Sequence, residues 1–244
     1  MMDVSRPEDV KCPDCGALIS PSYDRVEGRW EFTEISEAGI CHQCRKLRDI
    51  RQNIEACLQN TGVLQKYLHC SLTNFQIVKE NSFCVNACSQ YIDNHSPASP
   101  GLYLYGNCGT GKTHLAIAII RELLLKGKQV MFTSGSGLCF DIKKAFKDND
   151  RITEHEAIQP YILCEYLVMD DLGGVNPTEW DKKTIGYIIN ERDSRLKPAI
   201  ITSNFSLDEL ADHIGQRTAS RIAGMSQIIR IPGPDWRLKK TPKN

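Results

Sequence analysis

The feature that most constrains the fold of this chain is an eight-residue stretch that reads Gly106, Asn107, Cys108, Gly109, Thr110, Gly111, Lys112 and Thr113. It matches the pattern G-x-x-x-x-G-K-[ST] and lies between an apolar, strand-like run at residues 101–105 and a helix-like run at residues 112–126. Three glycines let the backbone curl so that successive N–H groups point at phosphate oxygens, and the helix start adds a partial positive charge. The motif therefore predicts a bound nucleotide, with Lys112 on the β- and γ-phosphates and the Thr113 hydroxyl on Mg²⁺. The alternative is a glycine-rich turn that fits by accident, and the flanking strand and helix argue against it.

Two adjacent carboxylates, Asp170 and Asp171, follow another apolar run. Ligands bind at the carboxyl ends of parallel strands, so we expect Asp170 beside the phosphate loop, where it would hold Mg²⁺ through water. We expect Asp171 to orient or deprotonate the attacking water, although an Asp-Asp pair also suits a simple turn. Asn204, which ends the strand-like run 198–204, is expected near the γ-phosphate.

Strand-like and helix-like runs alternate through most of the chain. The predicted strands cover residues 101–105, 129–133, 166–171, 198–204 and 227–231. This alternation predicts an α/β fold with a parallel five-stranded sheet sandwiched by helices. We expect residues 1–64 to form a small partner-binding module with a connecting helix, which begins at residue 45 and ends near residue 68. Residues 65–244 would then form the nucleotide-binding domain.

Two C-x-x-C pairs near the amino terminus, Cys12 with Cys15 and Cys41 with Cys44, have the spacing of a zinc site. Each pair presents two thiolates to one ion, and two pairs complete a tetrahedral set. A module this small has little apolar core, so the metal would supply much of its folding free energy. The alternative is chance spacing among eleven cysteines. His42 is a further candidate ligand, but we expect it to be solvated.

Composition narrows the class of protein. The 30 basic and 30 acidic residues cancel, so binding of nucleic acid would need a local patch. No apolar run is long enough to cross a bilayer, and the first residues lack a secretion signal, so we expect a cytoplasmic protein with no membrane partner. A reducing compartment favours metal ligands and buried thiols over disulfides.

With these motifs in view, residues 72–238 resemble the DnaC/DnaI-type AAA+ helicase loaders and the related IstB-type transposition ATPases. The resemblance is carried by Asn74-Phe75 and by the segments GLYLYGNCGTGKTHL (101–115), LVMDDLG (167–173), INER (189–192), IITSNF (200–205), QRTASRI (216–222) and 235–240. The cysteine pairs are similar to the zinc-bearing domain of the DnaI branch, which engages the replicative helicase.

The resemblance implies further site residues and a function. It adds Asn74, Phe75 and His114 to the nucleotide site, and it implies that Arg221, and also Arg217, acts as an arginine finger on the nucleotide of a neighbouring subunit. Either arginine could instead be an ordinary surface residue. The implied function is that of an ATPase that binds single-stranded DNA, self-associates through its AAA+ interface and loads a hexameric replicative helicase, with ATP, Mg²⁺ and Zn²⁺ as cofactors.

Two departures from the family and three further side chains bear on that function. Cys108 replaces a more usual proline or small residue. Asp171 stands where many AAA+ proteins have glutamate, which predicts hydrolysis that is either slow or relayed through water. Trp180 with Lys182 and Lys183 suits a DNA-contacting patch, or Trp180 packs in the core.

Two other functions fit the sequence. One is a transposition helper that remodels duplex target DNA, and it predicts filaments without a helicase partner. The other is a non-hydrolysing adaptor in which bound ATP serves only as a structural switch.

Overall fold

The computed structural model describes residues 6–24, 26–27, 29–33, 39–94, 99–147 and 152–238. The chain divides into two compact units, Met1–Ile54 with Leu125–Gly127, and Glu55–Leu124 with Lys128–Asn244. The boundary that we place after residue 64 falls in a loop of the second unit and stays a proposal. Residues 239 and 240, which belong to the last of the family-like segments, lie outside the described residues.

The first unit is built from two short hairpins and a helix. Strand β1 (Val10–Lys11) pairs antiparallel with β2 (Leu18–Ile19), β3 (Ser22–Asp24) pairs with β4 (Arg29–Glu31), and α1 (His42–Gln52) follows. Among the described residues of this unit, the buried cluster contains Cys12, Ile19 and Ile40, with Phe32 packed against it. So small an apolar core supplies little free energy of folding by itself.

The connecting segment is not the single helix that the sequence predicts. Helix α1 ends at Asn53, whose side-chain amide and backbone N–H both donate to the Asp49 carbonyl. A second helix, α2 (Ile54–Asn60), and a 3₁₀ turn (Gln65–Tyr67) follow. The periodic apolar pattern correctly predicts helix in this segment. Asparagine readily adopts a non-helical backbone conformation, however, and Asn53 divides the segment into two helices.

The second unit contains the predicted sheet. Its elements are α3 (Ser82–Asn94), β5 (Gly101–Tyr105), α4 (Lys112–Leu125), β6 (Val130–Ser134), α5 (Gly135–Lys147), α6 (Glu154–Leu163), β7 (Tyr166–Asp170), α7 (Glu179–Ser194), β8 (Ala199–Ser203), α8 (Leu207–Ile214), α9 (Gln216–Met225) and β9 (Ser226–Arg230). The strands are all parallel and lie in the order β6-β7-β8-β5-β9. Strand β8 therefore separates β5, which leads into the glycine-rich loop, from β7, which ends at Asp170.

The sheet is buried on both faces, as parallel sheets generally are. On one face, Tyr103, Leu167, Met169 and Ile201 pack against apolar side chains of α5 to α9. Strand side chains alternate between faces, so the neighbouring residues Leu102, Leu104, Val168 and Ile200 point the other way, and they are equally buried. Helix α4 has nine buried residues, which fits its apolar sequence.

Helix α6 was not predicted from the sequence. Pro160 lies inside it and weakens its helical signal. Its start carries a capping box, in which the Thr153 side chain accepts the Glu156 N–H and the Glu156 carboxylate accepts the Thr153 N–H. Thr178 with Asp181 and Ser206 with Glu209 cap α7 and α8 in the same way.

Arg192 joins several elements at the amino ends of β7 and β8. It is fully buried, and its guanidinium donates to the carbonyls of residues 161, 162, 164, 165 and 198 over 2.6 to 3.3 Å. Burial lowers the pKa of Arg192. The side chain therefore holds α7 to the end of α6 and to the starts of two strands, at the sheet edge opposite the glycine-rich loop.

Candidate functional site

The glycine-rich loop connects β5 directly to α4, as the sequence predicts. Gly109 and Gly111 have φ angles of 71° and 99°, which disfavour side-chain-bearing residues. A Cβ on Gly111 would also lie 2.6 Å from the ring of Phe75. The loop is thus held in a conformation that other residues would strain.

Lys112 opens α4 and is largely buried. Its Nζ donates to the carbonyls of Gly106 and Asn107, each over 2.8 Å, and burial lowers its pKa. Thr110 faces the same turn, because its hydroxyl donates to the Asn107 carbonyl over 3.0 Å. The ammonium group therefore lies inside the curl of the loop, where an incoming phosphate would meet it.

Asp170 lies opposite the loop, at the end of β7. The Thr113 hydroxyl donates to its two carboxylate oxygens over 2.9 and 3.1 Å, and the Thr202 hydroxyl donates to Oδ1 over 2.6 Å. Burial raises the pKa of Asp170, and the two threonine hydrogen bonds oppose the shift. The structure thus brings together the two residues that the sequence assigns to Mg²⁺, and it adds Thr202 as a second hydroxyl that contacts Asp170.

Asp171 and Asn204 form a hydrogen-bonded pair beside Asp170. Asn204 Nδ2 donates to Asp171 Oδ1 over 2.8 Å, and the Asp171 N–H donates to the Thr202 hydroxyl over 2.8 Å. Asp171 has a φ of 54°, a conformation that aspartate tolerates better than most residues. This backbone turn directs its carboxylate toward the end of β8.

These residues line one cavity of about 490 Å³. Its walls include Cys108, Gly109, Gly111, Lys112, Thr113, His114, Asp170, Asp171 and Asn204. Gly106, Asn107 and Thr110 belong to the loop but are not among the lining residues. A volume of this order is typical of small-molecule sites. The predicted phosphate, magnesium and water residues therefore meet at a single place.

Sequence reasoning missed part of this cavity. The cavity is also lined by Thr202, by Arg237 and by four residues in or just after the 3₁₀ turn, namely Lys66, Tyr67, His69 and Cys70. Arg237 follows Trp236, whose N–H donates to the Gly109 carbonyl over 3.1 Å, so the chain near its end lies along the loop. The family-like segment that begins at residue 235 was the available signal, but its sequence gives no hint of this contact.

Asn74 and Phe75 lie next to the loop. Phe75 contacts Gly111 and packs edge-on against His114 with ring centroids 5.3 Å apart. Both border a second cavity of about 300 Å³, which shares His69, Gly109, Gly111 and His114 with the first. The Asn74 side chain is already used, since it donates to the His69 carbonyl and accepts the Ser71 N–H. His114 Nε2 lies 2.9 Å from the Ser71 carbonyl, and burial lowers the pKa of His114.

Arg217 and Arg221 lie apart from this cavity, on α9. Arg221 forms an ion pair of 3.1 Å with Asp193. Both arginines line a surface pocket between α7 and α9 that shares no lining residue with the cavity at the loop. Neither arginine is therefore placed to contact a nucleotide on its own loop.

Trp180 is partly buried and packs against the large apolar core. It contacts the large apolar core and lies against Phe146 at 6.4 Å, and the Lys143 ammonium lies 4.4 Å from the centre of its ring. Its indole N–H donates to Glu154 over 3.0 Å. Of the two alternatives weighed for Trp180, the structure favours core packing.

The four cysteines of the first unit form a cluster. Their sulfur atoms all lie within 4.8 Å of one another, and Cys15 Sγ and Cys41 Sγ are 3.7 Å apart. Zn–S bonds of about 2.3 Å in a tetrahedron place sulfurs about 3.8 Å apart, so the set fits zinc. The backbone N–H of Cys41 donates to Cys12 Sγ and is the main cause that lowers the pKa of Cys12 to about 6. His42 is exposed and lies outside the cluster.

Among the described helices, none is both long and apolar enough to span a membrane.

The fold and the site together define a class of protein. A parallel sheet with a glycine-rich loop after β5, Lys112 and Thr113 at the helix start and a carboxylate at the end of β7 make this a P-loop nucleotide-binding protein of the AAA+ type. A family model described as IstB-like ATP binding protein matches residues 80–244. The chain belongs to this family of ATP-binding proteins, which confirms the resemblance and the fold class.

Curated relatives and solved structures agree with this assignment. The chain is 27% identical to the replicative helicase loader DnaC of Escherichia coli (strain K12) over 230 residues, 93% of each protein. It is 30% identical to the replicative helicase loader DnaI of Bacillus subtilis (strain 168) over 157 residues, 59% of this chain and 50% of that protein. The crystal structure of the DnaC helicase loader matches with a TM-score of 0.63 and 28% identity, covering 69% of this chain and 100% of that one. AMPPCP-bound DnaA from Aquifex aeolicus matches with a TM-score of 0.59 and 25% identity, covering 69% of this chain and 50% of that one.

Proposed function

We propose that this protein is an ATPase that loads a hexameric replicative helicase onto single-stranded DNA. The similarity to the helicase loader DnaC over 93% of both chains carries the loading role. The hydrogen bonds that join Thr113 of the loop to Asp170 of β7 support the ATPase. We place the ATP phosphates on the loop residues 106–113, with Lys112 leaving the loop carbonyls to contact the β- and γ-phosphates.

Thr113 and Asp170 would hold Mg²⁺. A hydroxyl and a carboxylate are the hard oxygen donors that this ion prefers, and both already share one hydrogen-bonded contact. When bound, the ion neutralises charge on the phosphate oxygens. Burial disfavours the charge of Asp170, so a cation there would relieve an unfavourable environment.

Asp171 and Asn204 would position the attacking water. Their side chains are already hydrogen-bonded and line the cavity together. Asp171 is one methylene shorter than the glutamate usual at this position, so we expect slow turnover. Arg221, and Arg217 beside it, would act on the nucleotide of a neighbouring subunit, because neither reaches its own loop cavity.

The cysteine cluster would bind one zinc ion through Cys12, Cys15, Cys41 and Cys44. The measured sulfur spacing supports this assignment. Because few of the first unit's described residues are buried and apolar, the metal would hold its two hairpins and α1 together. We assign helicase binding to residues 1–64, with the ATPase in residues 65–244 and a cytoplasmic location.

For single-stranded DNA, we propose a surface other than the predicted patch around Trp180. Phe140 of α5 and Val175 are 67% and 64% exposed, and both line a pocket of about 170 Å³. Lys143 and Asp171 line it as well. A base stacked on Phe140 would therefore lie against the loop that carries the water-positioning carboxylate, which provides a route by which DNA could alter hydrolysis.

The decisive experiment reconstitutes loading with the full chain. Purified protein, a hexameric helicase, circular single-stranded DNA and ATP are combined, and helicase bound to the circle is measured after gel filtration. We expect ATP-dependent loading by the wild type and none by Lys112→Ala. A preference for duplex DNA with filaments and no helicase contact would favour the transposition helper. Loading without measurable ATP turnover, even with DNA and helicase present, would favour the adaptor.

The arginine finger has its own test. Mixtures of Arg221→Ala and Lys112→Ala subunits contain interfaces that combine an intact loop with an intact arginine. We expect such mixtures to hydrolyse more ATP than either variant alone. Failure to recover activity at any mixing ratio would contradict action between subunits.

A further inference from the structure

Four residues of a short segment form one side of the cavity at the glycine-rich loop. They are Lys66, Tyr67, His69 and Cys70, and we call residues 66–71 the wall segment. Within it, Leu68 and Cys70 are buried, whereas Lys66 and His69 are exposed. The wall segment is therefore anchored by its buried residues and turns polar side chains to the cavity.

Arg121 of α4 holds the backbone of the wall segment. Its guanidinium donates through Nε to the Cys70 carbonyl over 3.0 Å and through Nη2 to the Leu68 carbonyl. His114 lies on the same helix, and its Nε2 is 2.9 Å from the Ser71 carbonyl. Residues two turns apart share one face of a helix, so this face of α4 contacts three carbonyls of the wall segment.

The contact of Arg121 with the wall segment is strong for two reasons. A charged donor forms stronger hydrogen bonds than a neutral one, and the fixed fork of a guanidinium reaches two carbonyls at once. The charge also acts on Cys70, because burial raises the pKa of this thiol to about 11 and the guanidinium opposes the shift. Both hydrogen bonds end on backbone atoms, so Arg121 fixes the path of the chain.

The fixed chain carries two side chains that suit a nucleotide. Lys66 Nζ lies 4.7 Å from the centre of the Tyr67 ring, and both residues line the cavity together with Lys112. An ammonium group binds phosphate oxygens, and an aromatic ring stacks on a base. Arg121 is not among the described residues that line this cavity, so its effect on a bound nucleotide would pass through the wall segment.

We propose that Arg121 is a positioning residue for ATP, because it holds the wall segment so that Lys66 and Tyr67 contact the bound nucleotide. Helix α4 then serves the site at two points. Lys112 at its start binds the phosphates, and Arg121 farther along sets the wall. This inference rests on the proposed binding of ATP at the loop and adds a residue outside the motif.

The first test measures the affinity and the dissociation rate of a fluorescent, non-hydrolysable ATP analogue with Mg²⁺ and the full chain. Methionine is similar to arginine in length but has no donor, so we expect Arg121→Met to weaken binding about tenfold, mainly through faster dissociation. The value of kcat should stay within about twofold, because the lost contacts hold ATP equally in the ground state and the transition state.

Two further variants calibrate this result. Arg121→Lys keeps one charged donor, so its affinity should fall only about threefold. Arg195→Met is the matched control, because it removes an exposed arginine outside the cavity and should leave the affinity unchanged.

A double variant tests whether Arg121 acts through the wall segment. Lys66→Met alone should weaken binding of the analogue about fivefold. In that background, Arg121→Met should cost only about twofold more, because part of the contact that it positions is already gone. Fully additive losses would show that Arg121 acts by another route and would overturn the inference.

The thiol of Cys70 gives a readout that separates positioning from general loosening. Cys70 is 2% exposed and Cys139 of α5 is 4% exposed, so both should react slowly with iodoacetamide in the wild type. Peptide mass spectrometry follows each thiol separately. We expect Arg121→Met to speed alkylation of Cys70 about tenfold and to leave Cys139 unchanged. Equal acceleration at both cysteines would show a merely structural role and overturn the assignment.

The remaining results are distinguishable from one another. A wild-type chain that does not bind the analogue would overturn the proposed ATP binding and this inference together. A wild type that binds it, with Arg121→Met matching, would overturn this inference alone. If Arg121→Met does not fold, Arg121→Lys decides, and an affinity equal to that of the wild type would overturn the inference.

Discussion

Thr202 contacts the carboxylate of Asp170 and the backbone of Asp171, and its replacement by valine tests that arrangement. Its hydroxyl donates to Asp170 over 2.6 Å and accepts the Asp171 N–H over 2.8 Å. Valine has nearly the same shape but neither donates nor accepts a hydrogen bond. Because Thr202 is only 1% exposed, we expect water to replace the lost contacts poorly.

The expected magnitude follows from these two hydrogen bonds. A hydrogen bond to a charged group contributes about 1.5–3 kcal/mol, and a buried N–H without an acceptor costs about 1–3 kcal/mol. Such contributions are not additive within one network, so we expect Thr202→Val to lower the free energy of unfolding by about 3 kcal/mol. Thr202→Ser keeps the hydroxyl and loses one methyl group, which should cost about 1 kcal/mol.

Urea unfolding followed by tryptophan fluorescence compares the two variants, and steady-state ATP hydrolysis follows the consequence for the site. We expect kcat of the valine variant to fall about tenfold or more, with little change in KM because Lys112 and the loop are untouched. The serine variant should stay close to the wild type. If the two variants unfold within about 0.5 kcal/mol of each other, Thr202 does not organise the carboxylates and the reasoning is refuted.

Three further predictions concern other parts of the molecule. Arg192→Lys should lower the free energy of unfolding by about 3 kcal/mol, because lysine cannot reach five carbonyls at once, whereas Arg195→Lys at the exposed end of α7 should change little in the same urea titration. Gly111→Ala should weaken ATP binding at least about tenfold in a fluorescent-nucleotide titration, since it combines a strained φ with a contact on Phe75, and an unchanged affinity would contradict the loop geometry. Metal analysis should find one zinc per chain, and Cys15→Ser should lose it while ATP binding persists; equal zinc in the variant would count against the cluster.

Most of the sheet could be predicted from the sequence because its strands are short, continuous apolar runs between clear turn signals. All five strands lie within about one residue of their predicted positions, and the motif at residues 106–113 fixes the order of loop and helix. Helix α6 was not predicted because Pro160 interrupts the helical pattern. Thr153 and Glu156 have the spacing of a capping box, which could have indicated the start of the helix. The division at Asn53 depends on a local hydrogen bond that periodicity does not reveal.

Site residues could be predicted from the sequence where their side-chain chemistry and their spacing along the chain indicate the same role. Lys112, Thr113, Asp170, Asp171 and Asn204 meet because parallel strands end at one edge. The same cavity is lined by Thr202, Arg237 and residues in or just after the 3₁₀ turn. Tertiary contacts bring these residues there, and no local sequence pattern predicts such contacts. Trp180 shows the same limit, because its sequence suited either a surface patch or the core, and packing against Phe146 decides.

The buried guanidinium of Arg192 has a practical consequence for measurements on this protein. Carbonyl oxygens do not take up protons between acidic and basic solution, and arginine stays charged throughout that range. Dissolved salt also acts weakly on a contact from which solvent is excluded. The contacts of Arg192 at the amino ends of β7 and β8 should therefore respond to neither pH nor ionic strength. Any dependence of binding or turnover on pH or salt would have to originate elsewhere in the molecule.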